Sequence, residues 1–363
     1  MSHRPPALLF GVSIADLTMA ETLDEIAEYV RLGRRQRTTH QVSTVNIDFL
    51  TNALDEPALM DILQRSELCI ADGMPLVWLA TLLDMQLRER VAGADLVPEL
   101  FDRSQREGWR IHVLGSSPAV AARSRDLISE RWPAADVTID PGPMIPDPRD
   151  VDPSCIDSIV EVDPDILCVA LGNPKQEHFI HHHREQLGVP VMIGVGGSLD
   201  MLVGERKRAP GWMQRTGLEW VARALQEPRR LGARYAHDLR VMAPAAGRAW
   251  WAHRRTRDDG GIDLHAGDPV AISIGVASPF SGDDYVELAS RIAEGAQVEL
   301  DASEATVVAD RTAAIVAGLV GLARRSGASV SWKVPPSPAV LAELRRLGVA
   351  PHLWGLPATS APQ

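Results

Sequence analysis

Three stretches of this chain place polar side chains or glycines directly after apolar runs, where an α/β protein presents its chemistry. The first, Asp165 to His183, reads DILCVALGNPKQEHFIHHH. An apolar run breaks at Gly172-Asn173-Pro174, and Lys175, Gln176 and Glu177 then occupy a first helical turn. Free N–H groups and the positive end of a helix dipole favour an anion there. Lys175 adds charge, and Gln176 can both donate and accept hydrogen bonds, as sugar hydroxyls require. A metal site would need ligands converging from one helix face, but only His178 and His182 stand at i, i+4. Phe179 occupies the place of the glutamate in H-E-x-x-H. The expectation is no metal, with the histidines on the polar outer face of an amphipathic helix.

The second constellation joins STVNIDFL to CIADGMPLVW. Thr44 and Asn46 follow one apolar run, and Asp72-Gly73 follows the next. If neighbouring strands bring these ends to one crevice, a carboxylate faces a hydroxyl and an amide and can take a proton from an incoming hydroxyl. Asp72 can equally cap a helix that starts at Gly73-Met74-Pro75, and spacing leaves both roles open. The third stretch, MIGVGGSLDMLVGERKRAPGWM, carries Gly194-Val195-Gly196-Gly197. Glycines there serve phosphate approach or close strand–helix packing. The G-x-G-x-x-G fingerprint is incomplete and lacks its acidic ribose partner, which disfavours a dehydrogenase.

Apolar runs alternate with segments of helical period, so these residues belong to a doubly wound, Rossmann-like α/β sheet covered on both faces. The expected strands are ALLFGVSI, HQVSTVN, LCIAD, RIHVLGS, DVTIDPG, DILCVALG and VPVMIGVG. After Tyr235 the alternation stops in a basic helical stretch and a linker. A second, smaller α/β unit then begins. The expected organisation is a catalytic domain over residues 1–236, a basic appendage and linker over 237–262, and a small domain over 263–356. The three cysteines, Cys69, Cys155 and Cys168, lie far apart with no C-x-x-C pair, which suits a reduced, cytoplasmic setting. The short apolar start runs into Asp16 and Glu21 and reads as a strand, not a signal peptide.

The net charge of -11 argues against nucleic acid as a partner. It conceals a local reversal: nine arginines lie between Arg223 and Arg257, against only Glu227 and Asp238. A basic belt on an acidic protein suits an anion or an anionic surface.

Taken in order, the motifs resemble the WecG/TagA/CpsF glycosyltransferases, family 26, over about residues 8 to 236. The carriers are Thr44-x-Asn46, Ala71-Asp72-Gly73, Arg90-Val91-x-Gly93-x-Asp95-Leu96 and Gly172-x-Pro174-Lys175-Gln176-Glu177. Gly194-Val195-Gly196-Gly197, Arg208-Ala209-Pro210 and Glu219-Trp220-x-x-Arg223 follow, then Glu227-Pro228-x-Arg230 and Arg234-Tyr235. The resemblance implies inverting, metal-independent transfer of an N-acetylmannosamine-type sugar or hexose from a UDP-sugar to a polyprenyl-diphosphate-linked saccharide, in cell-surface polysaccharide synthesis. No cofactor is implied. Asp72 then falls on the general base, and Thr44, Asn46, Arg90 and Gln176 on pocket positions. Without a metal, the departing diphosphate needs positive charge and oriented N–H donors. The arginines near the domain's end, Arg223, Arg230 and Arg234, suit that task, because guanidinium binds phosphate in bidentate fashion and stays charged; Lys175, Gly196 and Arg208 are further substrate-binding candidates. Two features depart from the family pattern: Leu199 where an aromatic often precedes the aspartate, and a WWAHRRTR segment expected to lie beyond the family's usual end.

The same belt, with Trp250 and Trp251, suits an anionic membrane surface and implies peripheral association with the inner face of the cell membrane. The C-terminal unit resembles a STAS domain. Regulatory STAS members carry a phosphorylatable serine after an aspartate at a helix start; here Arg311 follows Asp310, with Thr312 next. Docking to a protein partner is the expectation for this unit. The rival to an enzyme is a non-catalytic nucleotide-sugar-binding scaffold that acts through the STAS-like domain.

Overall fold

The computed structural model describes residues 4–142, 145–205, 213, 219, 221, 228–256, 262–265, 269–275, 282–305, 308–334 and 336–349, with backbone alone at 228–231, 255–256, 265 and 282–283. The chain opens with β1 (Ala7–Leu9), β2 (Val12–Ile14), α1 (Met19–Gln36), β3 (His40–Val45), α2 (Ile47–Asp55) and α3 (Pro57–Arg65). Next come β4 (Leu68–Ala71), α4 (Met74–Leu82), α5 (Gly93–Glu107), β5 (Arg110–Gly115), α6 (Pro118–Arg131) and β6 (Asp136–Asp140). Then follow α7 (Pro153–Val162), β7 (Ile166–Ala170), α8 (Lys175–Leu187), β8 (Val191–Gly194) and α9 (Ser198–Leu202). The later described elements are α10 (Pro228–Thr256), β9 (Ile262–His265), β10 (Val270–Ile274), α11 (Gly282–Ala293), β11 (Val298–Asp301), α12 (Asp310–Arg325), β12 (Val330–Val334) and α13 (Pro338–Arg346).

Two compact units result, and each draws on separated parts of the chain. One comprises Leu17–Leu76 and Glu89–Leu239; the other comprises Met1–Asp16, Val77–Arg88 and Arg240–Gln363.

The first unit is built on a six-stranded sheet in the order β4-β3-β8-β7-β5-β6, parallel throughout. All four residues of β8 are buried, which is why VMIG reads as an unbroken apolar run; β3 buries five of its six residues, the polar Gln41, Ser43 and Thr44 among them. Register aligns the strand ends. Val45 pairs with Ala71, Ser43 with Gly194, and Val169 with Gly194, so the residues following β3, β4, β7 and β8 emerge on one edge. Local signals set the helices. Thr18 and Glu21 form a reciprocal capping box on α1, Ser117 caps α6, and Glu56-Pro57 separates α2 from α3.

In the second unit, the expected first strand is a hairpin. β1 and β2 pair antiparallel about a Phe10-Gly11 turn and lie outside the parallel sheet. Pro6, just ahead of it, packs against Gly318 of α12. A four-stranded sheet runs β12-β11-β10-β9, with β10, β11 and β12 parallel and β9 antiparallel on the edge. Buried Ala313, Val316, Leu319, Val320 and Ala323 form the core face of α12. At its start Asp310 is tied to Arg346 at 3.1 Å, and Thr312 is 4% exposed. Among the described residues, no helix is long and apolar enough to cross a membrane.

Candidate active site

The site grows from the aligned strand ends of the first unit. Thr44, the penultimate residue of β3, is buried and donates its hydroxyl to the Gly194 carbonyl at 2.8 Å, locking β3 to the end of β8. Asn46 caps α2, its side chain accepting from the Phe49 N–H at 3.2 Å. Asp72 follows β4 directly, half-buried, and its backbone N–H donates to the Val45 carbonyl at 2.7 Å. The next residue must be glycine on conformational grounds: Gly73 has φ +151°, a value L side chains rarely adopt. The structure thus brings Thr44, Asn46 and Asp72 to neighbouring positions on one sheet edge.

Arg90 stands beside Asp72 because the Val91 N–H bonds the Ala71 carbonyl at 2.9 Å. Its side chain is 17% exposed, with the guanidinium held between two carboxylates, Glu219 at 2.6 Å and Asp95 at 3.0 Å. Burial alone would lower its pKa, but the Glu219 hydrogen bond and the charges of Glu219, Asp95 and Asp72 carry it above the ordinary value.

The opposite side is the start of α8, entered through a cis Asn173–Pro174 peptide. Gln176 is 1% exposed; its Nε2 donates to Glu177 Oε1 at 3.0 Å and its Oε1 accepts from the Gly196 N–H at 2.9 Å. Gly196 therefore spends its N–H on Gln176. Glu177 is fully buried, and its Oε2 has no hydrogen-bond partner. Burial pushes this carboxyl up to about 8, so it is protonated at neutral pH. Both side chains fill the space beside Gly194, where a Cβ would come within 2.6 Å of Glu177 Oε1. Sequence reasoning gave Glu177 no role. A Glu beside a Gln in a first helical turn carries no mark of burial.

Lys175 points elsewhere: it is exposed and its Nζ donates to the Ile145 carbonyl at 2.9 Å. Arg234 lies 3.6 Å from Asp48 in the first turn of α2 and stacks on the Tyr235 ring. Nearby Asp238 is 6% exposed, and burial together with the Asp48 charge raises it to about 6. Arg208 and Arg223 lie outside the described residues, as does the side chain of Arg230. Leu199 is buried in α9.

The histidines of α8 depart from expectation. His178 and His183 are buried rather than on an outer polar face. Their partners make burial tolerable: His178 Nε2 meets Glu56 Oε1 at 2.7 Å, and His183 Nε2 meets the Pro148 carbonyl at 3.1 Å. Among the described residues, no three His, Cys, Asp or Glu side chains gather as a metal site.

A Rossmann-like sheet with a carboxylate, a hydroxyl and two amides along its strand ends is the layout of a ligand-binding α/β enzyme. The profile of the WecG/TagA/CpsF family of glycosyl transferases matches residues 7–257, and the chain belongs to that family. The match continues past Tyr235 and takes in the WWAHRRTR segment, which sequence reading had placed beyond the family's end. Among similar proteins are N-acetylglucosaminyldiphosphoundecaprenol N-acetyl-β-D-mannosaminyltransferases of three bacteria. That of Bacillus subtilis is 33% identical over 187 residues, 52% of this chain and 72% of the relative. That of Bacillus spizizenii is 31% identical over 189 residues, again 52% and 72%. That of Staphylococcus aureus is 26% identical over 224 residues, 62% of this chain and 86% of the relative.

Proposed function

We propose that this glycosyltransferase moves an N-acetylmannosamine-type sugar or a hexose from a UDP-sugar to a polyprenyl-diphosphate-linked saccharide, with inversion and without a metal ion, in cell-surface polysaccharide synthesis. The observation that carries the reading is the convergence of Asp72, Thr44, Asn46 and Gln176 on one sheet edge, in a chain whose relatives are named for N-acetylmannosamine transfer to a diphosphoundecaprenol-linked sugar.

In this mechanism Asp72 takes the proton of the acceptor hydroxyl while that oxygen attacks the anomeric carbon. The new C–O bond forms as the bond to the UDP oxygen breaks, and the departing phosphate keeps the electron pair. Positive charge for the diphosphate is assigned to Arg208, Arg223, Arg230 and Arg234. Arg234 must first leave Asp48, a half-exposed pair whose separation costs little.

We assign the reaction to the inner face of the cell membrane, where a lipid-linked acceptor would meet a nucleotide-sugar donor. The second unit supports this: Trp78, Leu82 and Trp251 are exposed, and Arg254 stacks on Trp250 at 4.7 Å, a mixture suited to an anionic interface. The small C-terminal sheet is assigned to partner docking as a STAS-like unit. Thr312 is too buried to accept a phosphate without local opening.

The test is to incubate the full chain with a panel of UDP-sugars and a short-chain polyprenyl-diphosphate-N-acetylglucosamine, with and without EDTA. The expected result is transfer from one donor that survives chelation. Donor binding with no transfer from any UDP-sugar would favour the scaffold reading, and complete loss in EDTA restored by Mg²⁺ or Mn²⁺ would overturn metal independence.

A further inference from the structure

Two carboxylates share one arginine beside the start of α2. Arg234 Nε lies 3.6 Å from Asp48 Oδ1, and Asp48 Oδ2 accepts from Asn173 Nδ2 at 3.4 Å. Asp48 thereby ties the first turn of α2 and the Asn173-Pro174 turn to α10, next to the elements that carry Asn46 and Gln176. Asp238 stands four residues after Arg234, on the same face of α10. It is 6% exposed, and among the described residues its Oδ1 has no hydrogen-bond partner. Facing it are Asp48 and the Thr51 hydroxyl from α2, and Arg234 and His237 from its own helix. Burial and the Asp48 charge hold its carboxyl up at about 6, while Thr51, Arg234 and His237 work against them. Arg234 thus helps to keep Asp238 ionised. A diphosphate that draws Arg234 away removes that help, adds negative charge nearby and leaves two carboxylates facing each other. A buried carboxyl in that position is favoured as the neutral acid.

We infer that Asp238 is a positioning residue for the donor: ionised, it holds Arg234 beside Asp48, and it takes a proton from water as Arg234 turns to the diphosphate, so that donor binding is coupled to proton uptake. This rests on the proposed role of Arg234 as a ligand of the diphosphate. The coupling has a definite sign. A group whose pKa is higher in the complex favours binding at low pH, and affinity falls as pH rises through the interval between the free and bound values.

The test titrates the full chain with UDP-N-acetylmannosamine, without acceptor, by calorimetry between pH 5.5 and 8.5 in buffers of differing ionisation enthalpy, which reports the protons taken up. A diphosphate esterified at both ends keeps its charge across this range. The wild type should take up a fraction of a proton near pH 7, with Kd rising about threefold to tenfold from pH 6 to 8, as a shift of up to about one pKa unit requires. Asp238→Asn fixes the shape of the neutral acid and should abolish both effects. His237→Gln removes the other titratable group of that turn and should keep both. Asp48→Asn withdraws the charge that raises Asp238 and should lower the uptake at pH 7; it serves as the test if circular dichroism shows that Asp238→Asn does not fold. No uptake by the wild type, uptake undiminished in the folded Asp238→Asn or Asp48→Asn variant, or uptake lost in His237→Gln overturns the inference. Arg234→Ala separates the two claims. Unchanged donor affinity in that variant removes Arg234 from the diphosphate and this inference with it, whereas weakened binding there with undiminished uptake in Asp238→Asn overturns the inference alone.

Discussion

The two sides of the site handle charge in opposite ways. At the end of β4, Asp72, Arg90, Asp95 and Glu219 form a partly exposed ionic group in which the buried-leaning cation is matched by carboxylates. At the start of α8, Gln176 and the neutral Glu177 are sealed behind β8, with the amide fixed at both ends by Glu177 and the Gly196 N–H. Proton transfer needs a group whose charge can change without collapse, so the ionic side suits chemistry. A buried neutral network resists change and holds shape, so the α8 side suits positioning of the sugar. Thr44 joins the two by bonding Gly194 from β3.

Changes on the two sides should therefore fail differently. The largest effect is expected for Asp72→Asn, a loss of about 10² to 10⁴ in kcat with the fold intact, the usual range for a missing general base. Gly194→Ala should act through structure. Its Cβ would press on Gln176 and Glu177, costing about 1–3 kcal/mol as overpacking and appearing as a lower midpoint in urea. An unchanged midpoint would show that the neutral network is not tightly packed.

Glu177→Gln sharpens the contrast through pH. The folded pKa of about 8 lies above the ordinary carboxyl value. The stability Glu177 contributes is thus complete below about pH 4 and is lost as pH rises through about 8. The glutamine variant should gain on wild type across that window in melting temperature. A constant difference between the two would contradict a neutral Glu177. Smallest of all is Arg234→Ala, expected to change stability by less than about 1 kcal/mol because its pair with Asp48 is half-exposed, while raising KM for the UDP-sugar. Unchanged donor KM would remove Arg234 from the diphosphate site.

Much of the frame was legible in the chain. Six of the seven runs read as strands form the parallel sheet, and LCIA, ILCVA and VMIG were plainest because strands buried on both faces leave continuous apolar sequence. ALLFGVSI misled because two three-residue strands joined at Phe10-Gly11 are as apolar as one long strand. β9 leaves no strand signal in the sequence, because IDLH has no sustained period. Thr44, Asn46, Asp72 and Gln176 were singled out by their place after apolar runs, and the structure puts them along the strand ends of one sheet. The partners that tune them were not: Glu219 reaches Arg90 across the sequence, and Glu177 looks like any solvated charge until Gly194 closes over it. Local pattern records which residues end a strand, whereas burial and long-range pairing are set by the assembled sheet.

The most direct measurement is the pH dependence of kcat for the wild-type chain and Asp72→Asn, side by side at saturating UDP-N-acetylmannosamine and lipid-diphosphate acceptor. The wild type should show an acid limb, rising as the base ionises, and the variant a slow residual rate from which that limb has vanished. A variant that turns over at a near-normal rate with the same acid limb would show that the proton goes elsewhere, and would contradict the assignment of the ionic side of the site to the chemistry.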